Sequence, residues 1–380
     1  MVKTDPPPPK QNSLLFLLSL PILLALFLSV AWYQLDSFDA APLPMHELTH
    51  DAVAAPLLNA RILQGSDKIG AGKMVGPEDV LYDSGTGVLY TGCADGWIKR
   101  VSVNDSAQDS VVEDWVNTGG RPLGLARGLH GEIIVADADK GLLNVSEDGV
   151  IELLTDSAEG HQFKLTDGVD IAEDGTIYFT DASYKYSLHQ YPLDILEGRP
   201  YGRLLSYNPS TRQTKVLVHD LYFANGVVVS PDQKFVVFCE TPMRRCKKYY
   251  IGDERKGSVN TFVDRLPGFP DNIHYDGEGH FWIALSSEAT DLWHFIQNYP
   301  FLRKIMGIVI KYWGHLPPIL KSSGAMLADL EGKVIEHYYD PSLIYLASAI
   351  KIGDHLYAGS IVNPYIFRLN VTRYPATSSA

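Results

Sequence analysis

The sequence predicts an all-β fold, a six-bladed β-propeller with an N-terminal transmembrane anchor and a helical insert before the last blade. Two observations carry the propeller. One phrase recurs six times along the 380 residues: a small or polar residue, a short alternating strand, a turn rich in Gly and Asp, and a second apolar strand. The copies open at Gly76-Pro77-Glu78-Asp79, Pro122-Leu123-Gly124, Asp167-Gly168-Val169-Asp170, Asn225-Gly226-Val227, Asp271-Asn272-Ile273-His274 and Ser348-Ala349-Ile350. A short-strand repeat of roughly 40 to 60 residues is the period of a propeller, one blade per copy. The second observation is composition: 21 Tyr and 14 Phe, with Val and Ile gathered in the repeats, supply the packing that stacked sheets need.

The elements follow in chain order. Residues 1–13 read as a cytosolic tail and 14–33 as a transmembrane signal anchor, because Leu14 to Tyr33 carries no charge and is long enough to cross a bilayer as a helix. Lys3 and Lys10 precede this run, whereas Asp36, Asp39 and Glu47 follow it. The positive-inside rule then predicts a single-pass type II protein of the endomembrane system (endoplasmic reticulum or vacuole) or plasma membrane, with a lumenal or extracellular propeller. The competing reading is a cleaved signal peptide, with Ser29-Val30-Ala31 as its small-residue site and a soluble lumenal or vacuolar product. Residues 34–60 read as a stalk, 61–372 as the propeller and 373–380 as a C-terminal tail.

Within the propeller, 290–323 breaks the blade pattern. Trp293, Phe295 and Ile296, then Phe301 through Ile310, place apolar residues at helical spacing with basic ones interspersed, which predicts one or two amphipathic helices. Such an insert can cap the channel, rest on the membrane or pack on the propeller's side.

Blade geometry turns the repeat into a functional expectation. Each phrase begins an inner strand, so its opening residue sits near the axis at one end of the channel. Glu78, Asp167, Asn225, Asp271 and Asn272 therefore meet, while the second and sixth copies contribute Leu123-Gly124 and Ser348-Ala349. Any one of these residues is also what a turn prefers. Their recurrence at one repeat position predicts a metal site instead. Carboxylates and amide carbonyls without Cys or His suit a hard cation, and Ca²⁺ above Mg²⁺. Asp167 and Asp271 are the candidate general bases.

A net charge of −13 argues against a nucleic-acid partner and leaves a small-molecule substrate and the membrane. Sequons at Asn104, Asn144 and Asn370 predict glycosylation in the secretory pathway. Of three cysteines, Cys239 and Cys246 flank a predicted hairpin loop; a lumenal disulfide and buried free thiols both fit.

Leu165-Thr166-Asp167-Gly168-Val169-Asp170, Ile177 through Ser183, Gly202-Arg203-Leu204-Leu205, Phe223-Ala224-Asn225-Gly226-Val227, Glu240-Thr241 and Leu266 through Ile273 together resemble the plant strictosidine synthase-like proteins and the animal adipocyte plasma membrane-associated protein. The resemblance runs over nearly all of the chain after Arg61. It implies a propeller of the calcium-dependent phosphotriesterase superfamily, whose ligand positions are matched by Glu78, Asp167, Asn225, Asp271 and Asn272. Strictosidine synthase itself uses a Glu opening the sixth blade to condense an amine with an aldehyde. Ser348, or with a one-residue shift Ala347 or Ala349, stands there, and none carries a carboxylate. Nor does the catalytic His pair of paraoxonases have a match, since His130 falls in a turn. The expected activity is therefore calcium-dependent hydrolysis of esters or lactones, of arylesterase type. Condensation in alkaloid biosynthesis and a non-catalytic binding propeller are the alternatives.

Overall fold

A computed structural model describes residues 11–44, 48, 51–314 and 321–378, with the backbone alone for 11–20. Five blades are four-stranded and antiparallel in simple up-and-down order, the other is widened to six strands, and a two-stranded ribbon pairs Ser157–Ala158 with His161–Gln162. Blade 1 spans Leu81–Asp83 to Val111–Asn117, blade 2 Pro122–Arg127 to Ile151–Thr155, blade 3 Thr166–Ile171 to Gln213–Leu221, and blade 4 Ala224–Val229 to Val259–Val263. Blade 5 runs from Gly268–Tyr275 to Val334–Asp340 and blade 6 from Leu346–Ile352 to Ile366–Asn370. Ser66–Ile69 is the outer strand of blade 6, so the N-terminal side of the ring is stitched to its C-terminal side.

The core lies between blades rather than within one centre. Every pair of neighbouring sheets encloses its own apolar cluster; Val228, Val237 and Cys239 of blade 4 meet Ile273, Phe281 and Ile283 of blade 5, for example. The closing seam is built alike, with Ile69 and Ile366 against Val80, Leu89 and Val101. Cys239 and Cys246 are cross-strand partners joined by a disulfide, which settles the choice between bridge and free thiols; Cys93 is free and buried.

Two helical inserts leave the ring at the same level. One is Tyr191–Glu197, between the second and third strands of blade 3, and the other is the pair Asp291–Gln297 and Pro300–Trp313 at the same place in blade 5. Thr290 caps the first helix of the pair by accepting from the Trp293 N–H, Pro300 opens the second, and Gly314 ends it in the left-handed region. Residues 315–320 of the predicted insert lie outside the described residues.

The supposed stalk and tail need correction. Phe38 and Leu43 are buried, Leu57–Asn59 pairs with Val334–Asp340, and Thr377–Ser378 pairs with Leu57 and Leu58. Their small apolar content had no local period because the inserts and blade 5, not a repeat of their own, receive them. The predicted anchor lies in one helix, Gln11–Leu35. Among the described residues no helix is long and apolar enough to cross a membrane. Most of the predicted tail 1–13 lies outside the described residues.

If the seam closes the ring, Ile69→Ala, which empties a fully buried position, lowers unfolding free energy by about 2–5 kcal/mol. Urea denaturation followed by tryptophan fluorescence measures it. A loss no larger than that of an exposed substitution contradicts a closing role for this strand.

Candidate metal centre at the channel mouth

Glycine backbones bring the inner strands together. A Cβ on Gly124 would stand 2.5 Å from the Asp167 carbonyl oxygen, one on Gly168 2.9 Å from Gly226 Cα, and one on Gly226 2.6 Å from Asn272 Cα. On Gly359 it would collide with the Glu78 carbonyl. Only glycine permits this approach, and each glycine packs against an opening residue or its neighbour. Hydroxyls tie the same ends: Thr180 Oγ1 accepts from Gly168 N at 2.9 Å and donates to the Asn225 carbonyl at 2.7 Å, and Thr241 Oγ1 donates to the Pro270 carbonyl at 2.8 Å.

The predicted residues do converge. Asn272 Nδ2 donates to Glu78 Oε1 at 2.7 Å across the channel, and Asn225 Nδ2 donates sideways to Thr241 Oγ1 at 3.2 Å. Glu78 Oε2 and Asn225 Oδ1 are left buried with no hydrogen-bond partner. Burial raises the Glu78 carboxyl far above its usual range, and the charges of Asp271 and Asp79 push it further. Asp167 is raised likewise by burial and then by Glu78, and Asp271 by burial and then by Asp167. Each of the three carboxyls is thus raised by burial and by the charge of another of them. Among the described residues no three His, Cys, Asp or Glu side chains form a metal site by themselves. The amide oxygens are what make the set fit a hard cation, and one of them is an orphaned buried acceptor.

The sequence reading missed a second layer. Strand period places His274 two residues beyond Asn272 on the same face, one step deeper. His274 Nε2 lies 2.7 Å from Asp79 Oδ1, and Ser348 Oγ donates to that oxygen at 2.7 Å. Asp79 Oδ2 accepts from Leu125 N at 3.0 Å. Burial opposes both charges, yet the pairing outweighs it: Asp79 is lowered and His274 raised. Ser348 is fully buried and committed to Asp79; Ala347 and Ala349 are equally buried. No carboxylate stands at any of the three candidate positions.

Antiparallel connectivity fixes what covers the mouth. The loop between strands two and three of a blade lies at the end where strand one begins, so both helical inserts sit over the carboxyl cluster. Tyr191, on the blade 3 helix, reaches Tyr345 before blade 6, with hydroxyls 3.4 Å apart. Burial raises the Tyr191 hydroxyl first, the Tyr345 hydroxyl adds to it, and the Asp271 charge adds last. Asp271 retains partial exposure, whereas Asp167 is 4% exposed.

The sequons differ in setting. Asn104 is exposed in a loop, Asn370 is half-buried at a strand end, and Asn144 lies within a blade 2 strand with its Oδ1 enclosed.

An up-and-down propeller whose axial channel ends in an oxygen-only cluster under a helical roof defines the class. The strictosidine synthase model matches residues 167–254 and the strictosidine synthase-like N-terminal model residues 60–101. The chain is 55% identical over 361 residues to strictosidine synthase-like protein 7 of Arabidopsis thaliana, covering 94% of this chain and 96% of the relative. It is 31% identical over 328 residues to adipocyte plasma membrane-associated protein of Bos taurus, covering 81% and 79%. This chain belongs to the strictosidine synthase-like family. Among solved structures, a gluconolactonase of Xanthomonas campestris matches with a TM-score of 0.57 at 14% identity, covering 87% of this chain and 98% of that one. A calcium-binding regucalcin of Agrobacterium tumefaciens matches at 0.56 and 15% identity, covering 86% and 98%. At these identities the two show the shared fold alone.

The two layers predict opposite stability effects. Carboxyls held above their ordinary pKa bind protons more tightly folded than unfolded, so stability falls as pH rises from the ordinary range, near 4, through the raised values. In chelator near neutral pH, Asp167→Asn therefore raises the melting temperature. Asp79→Asn strands His274 and costs about 3 kcal/mol. In the unsubstituted protein the contribution of raised His274 is full below its ordinary 6.5 and is lost as pH rises through the folded value. Calorimetry across pH tests both; destabilisation by Asp167→Asn contradicts the repulsive cluster.

Proposed function

We propose that this protein is a calcium-dependent hydrolase of esters or lactones, of arylesterase type, anchored by residues 14–33 with its propeller lumenal or extracellular. The observation that supports the activity best is the axial cluster, in which three mutually repelling carboxyls meet two amides, with Glu78 Oε2 and Asn225 Oδ1 buried and unpartnered. Glu78, Asp167, Asn225, Asp271 and Asn272 would hold the ion. When bound, calcium supplies a Lewis acid for the substrate's carbonyl oxygen.

The chain's own groups divide the remaining work. Asp271, partly exposed, is the general base that takes a proton from the attacking water. Asp167 is buried without a solvent side and serves to hold. Tyr191 and Tyr345 roof the site, restrict water and orient a small substrate. Amine–aldehyde condensation is disfavoured, because the position that would need a carboxylate carries Ser348 and its hydroxyl is committed to Asp79.

The uncharged Leu14 to Tyr33 run and the charge asymmetry around it support the anchor. Relatives named for plasma-membrane association agree with it. Exposed Asn104 is the glycan acceptor of choice.

Purified protein with calcium, screened against aryl esters and lactones, is expected to turn over at least one class. Asn225→Ala then loses about 100-fold or more in kcat/KM, Asp271→Asn a similar factor, and Ser348→Ala far less. Absence of hydrolysis with calcium bound would favour a binding propeller, and condensation by the unsubstituted chain would overturn the argument from Ser348. Alkaline carbonate extraction tests the anchor: the protein stays with the membrane, and release with a new N-terminus near Gln34 would indicate a cleaved signal.

A further inference from the structure

The helix Pro300–Trp313 has two apolar sides, and the protein buries only one of them. Arg303, fully buried, donates to the carbonyls of Leu196 and Ala41, closing the C-terminal end of the blade 3 helix, where carbonyls carry the negative end of the dipole. Gly307 lies so close to Phe38 that any Cβ would overlap its ring. Phe301, Ile305, Ile308 and Tyr312, spaced by four, three and four residues, line the opposite side. Phe301, Ile305 and Tyr312 are 51, 46 and 51% exposed. The patch continues through an aromatic chain, with ring centroids 5.8 Å apart from Phe301 to Tyr299 and 5.0 Å from Tyr299 to Phe295.

This surface is continuous with that of the N-terminal helix. Trp32 packs edge-on against Tyr312 at 5.0 Å, and Lys304 lies 4.8 Å over the Tyr33 ring. One residue after that helix ends at Leu35, Asp36 is gripped by Lys311 at 3.1 Å and Tyr312 at 3.0 Å. Burial works against its charge, but the Phe38 N–H, Lys311 and Tyr312 together hold it below the ordinary carboxylate range. No slack is left between the N-terminal helix and the insert. Residues 21–35 of that helix are themselves almost wholly exposed and apolar, including Ile22, Phe27 and Leu28.

We propose that the outer face of the insert docks into the interfacial region of the lipid bilayer, holding the mouth of the propeller against the membrane. The inference rests on the reading of 14–33 as an anchor. Tyr299, Tyr312, Trp313, Trp32 and Tyr33 then form the aromatic belt that membrane–water interfaces favour. Within 291–313 a single acid, Asp291, stands against half-buried Lys304 and exposed Lys311, in a chain whose net charge is −13, which suits an anionic headgroup layer. The carboxyl cluster shares that end of the molecule, so an apolar substrate partitioned into lipid reaches it without crossing bulk water.

The test uses the full chain in nanodiscs of phosphatidylcholine and phosphatidylglycerol, with an environment-sensitive fluorophore on one introduced cysteine. Native cysteines do not compete, since Cys93 is buried and the others are bridged. Labels at Ile305→Cys and, separately, Phe301→Cys are expected to lose most of their fluorescence to lipids carrying nitroxides in the upper acyl chain, as burial of roughly 5–10 Å below the surface requires. A label at Leu24→Cys, read against lipids carrying nitroxides near the acyl-chain end, reports the anchor, and one at Leu129→Cys, exposed in a turn at the other end of an inner strand, reports bulk solvent. Quenching at Leu24 with none at 301 or 305 beyond the Leu129 level overturns docking and leaves the anchor standing. No quenching at Leu24 removes the anchor and the docking with it. A blue-shifted but unquenched label at 305 shows that protein, such as a second copy, covers the patch, and also overturns the proposal.

Discussion

The inner strands of this propeller come so close at one end that glycine is the only residue their contacts admit. Gly124, Gly168 and Gly226 each face the backbone of the next blade, and the residues beside them, Asp167, Asn225 and Asn272, are carried inward with the strands. Three carboxyls are thereby forced into one small volume with Arg121 as a neighbouring cation, whose charge offsets part of the repulsion on Glu78 and Asp167. A fold that spends stability in this way invites a cation. The deeper layer has the opposite character: Asp79, His274 and Ser348 satisfy one another and anchor blades 1, 5 and 6 to a common point.

The roof depends on the same connectivity. Because second-to-third-strand loops emerge at the opening end of the blades, insertions there can only grow over the mouth. Blades 3 and 5 both carry one, and they are welded by Arg303, which offers its charge to backbone carbonyls instead of a carboxylate. The carboxylate of Glu197, whose backbone carbonyl also faces Arg303, is already held by Lys185 and Tyr186. The covering helices are thus a fixed part of the site's architecture, and the segment 36–44 is their third component.

How much of this was legible in the sequence follows from what repeats. The blades were readable because each recurs at one place in a period, and the five candidate mouth residues were read from the same period. His274 and Asp79 lie one step deeper than the residues that meet at the mouth, although period 2 alone places His274 on the face of Asn272. The helix Tyr191–Glu197 was hidden in an ordinary-looking gap of blade 3. Phe38 and Leu43 looked like stalk residues because their burial needs Leu193 and Met243, each more than 150 positions away, a long-range contact with no local pattern. The difference in exposure between Asp271 and Asp167, on which the proposed choice of base rests, belongs to the packed mouth and has no local signal.

The central claim is that the mouth is a repulsive carboxyl cluster completed by a cation. Its most direct measurement is a calcium titration of the purified protein in weakly buffered solution near pH 6, recording protons released per ion bound. Carboxyls whose hold on protons is tightened by burial and by one another give protons up on becoming ligands, so the account predicts stoichiometric binding with release of protons, lost when Glu78 is replaced by Gln. Binding without proton release, or binding that survives Glu78→Gln unchanged, would contradict it.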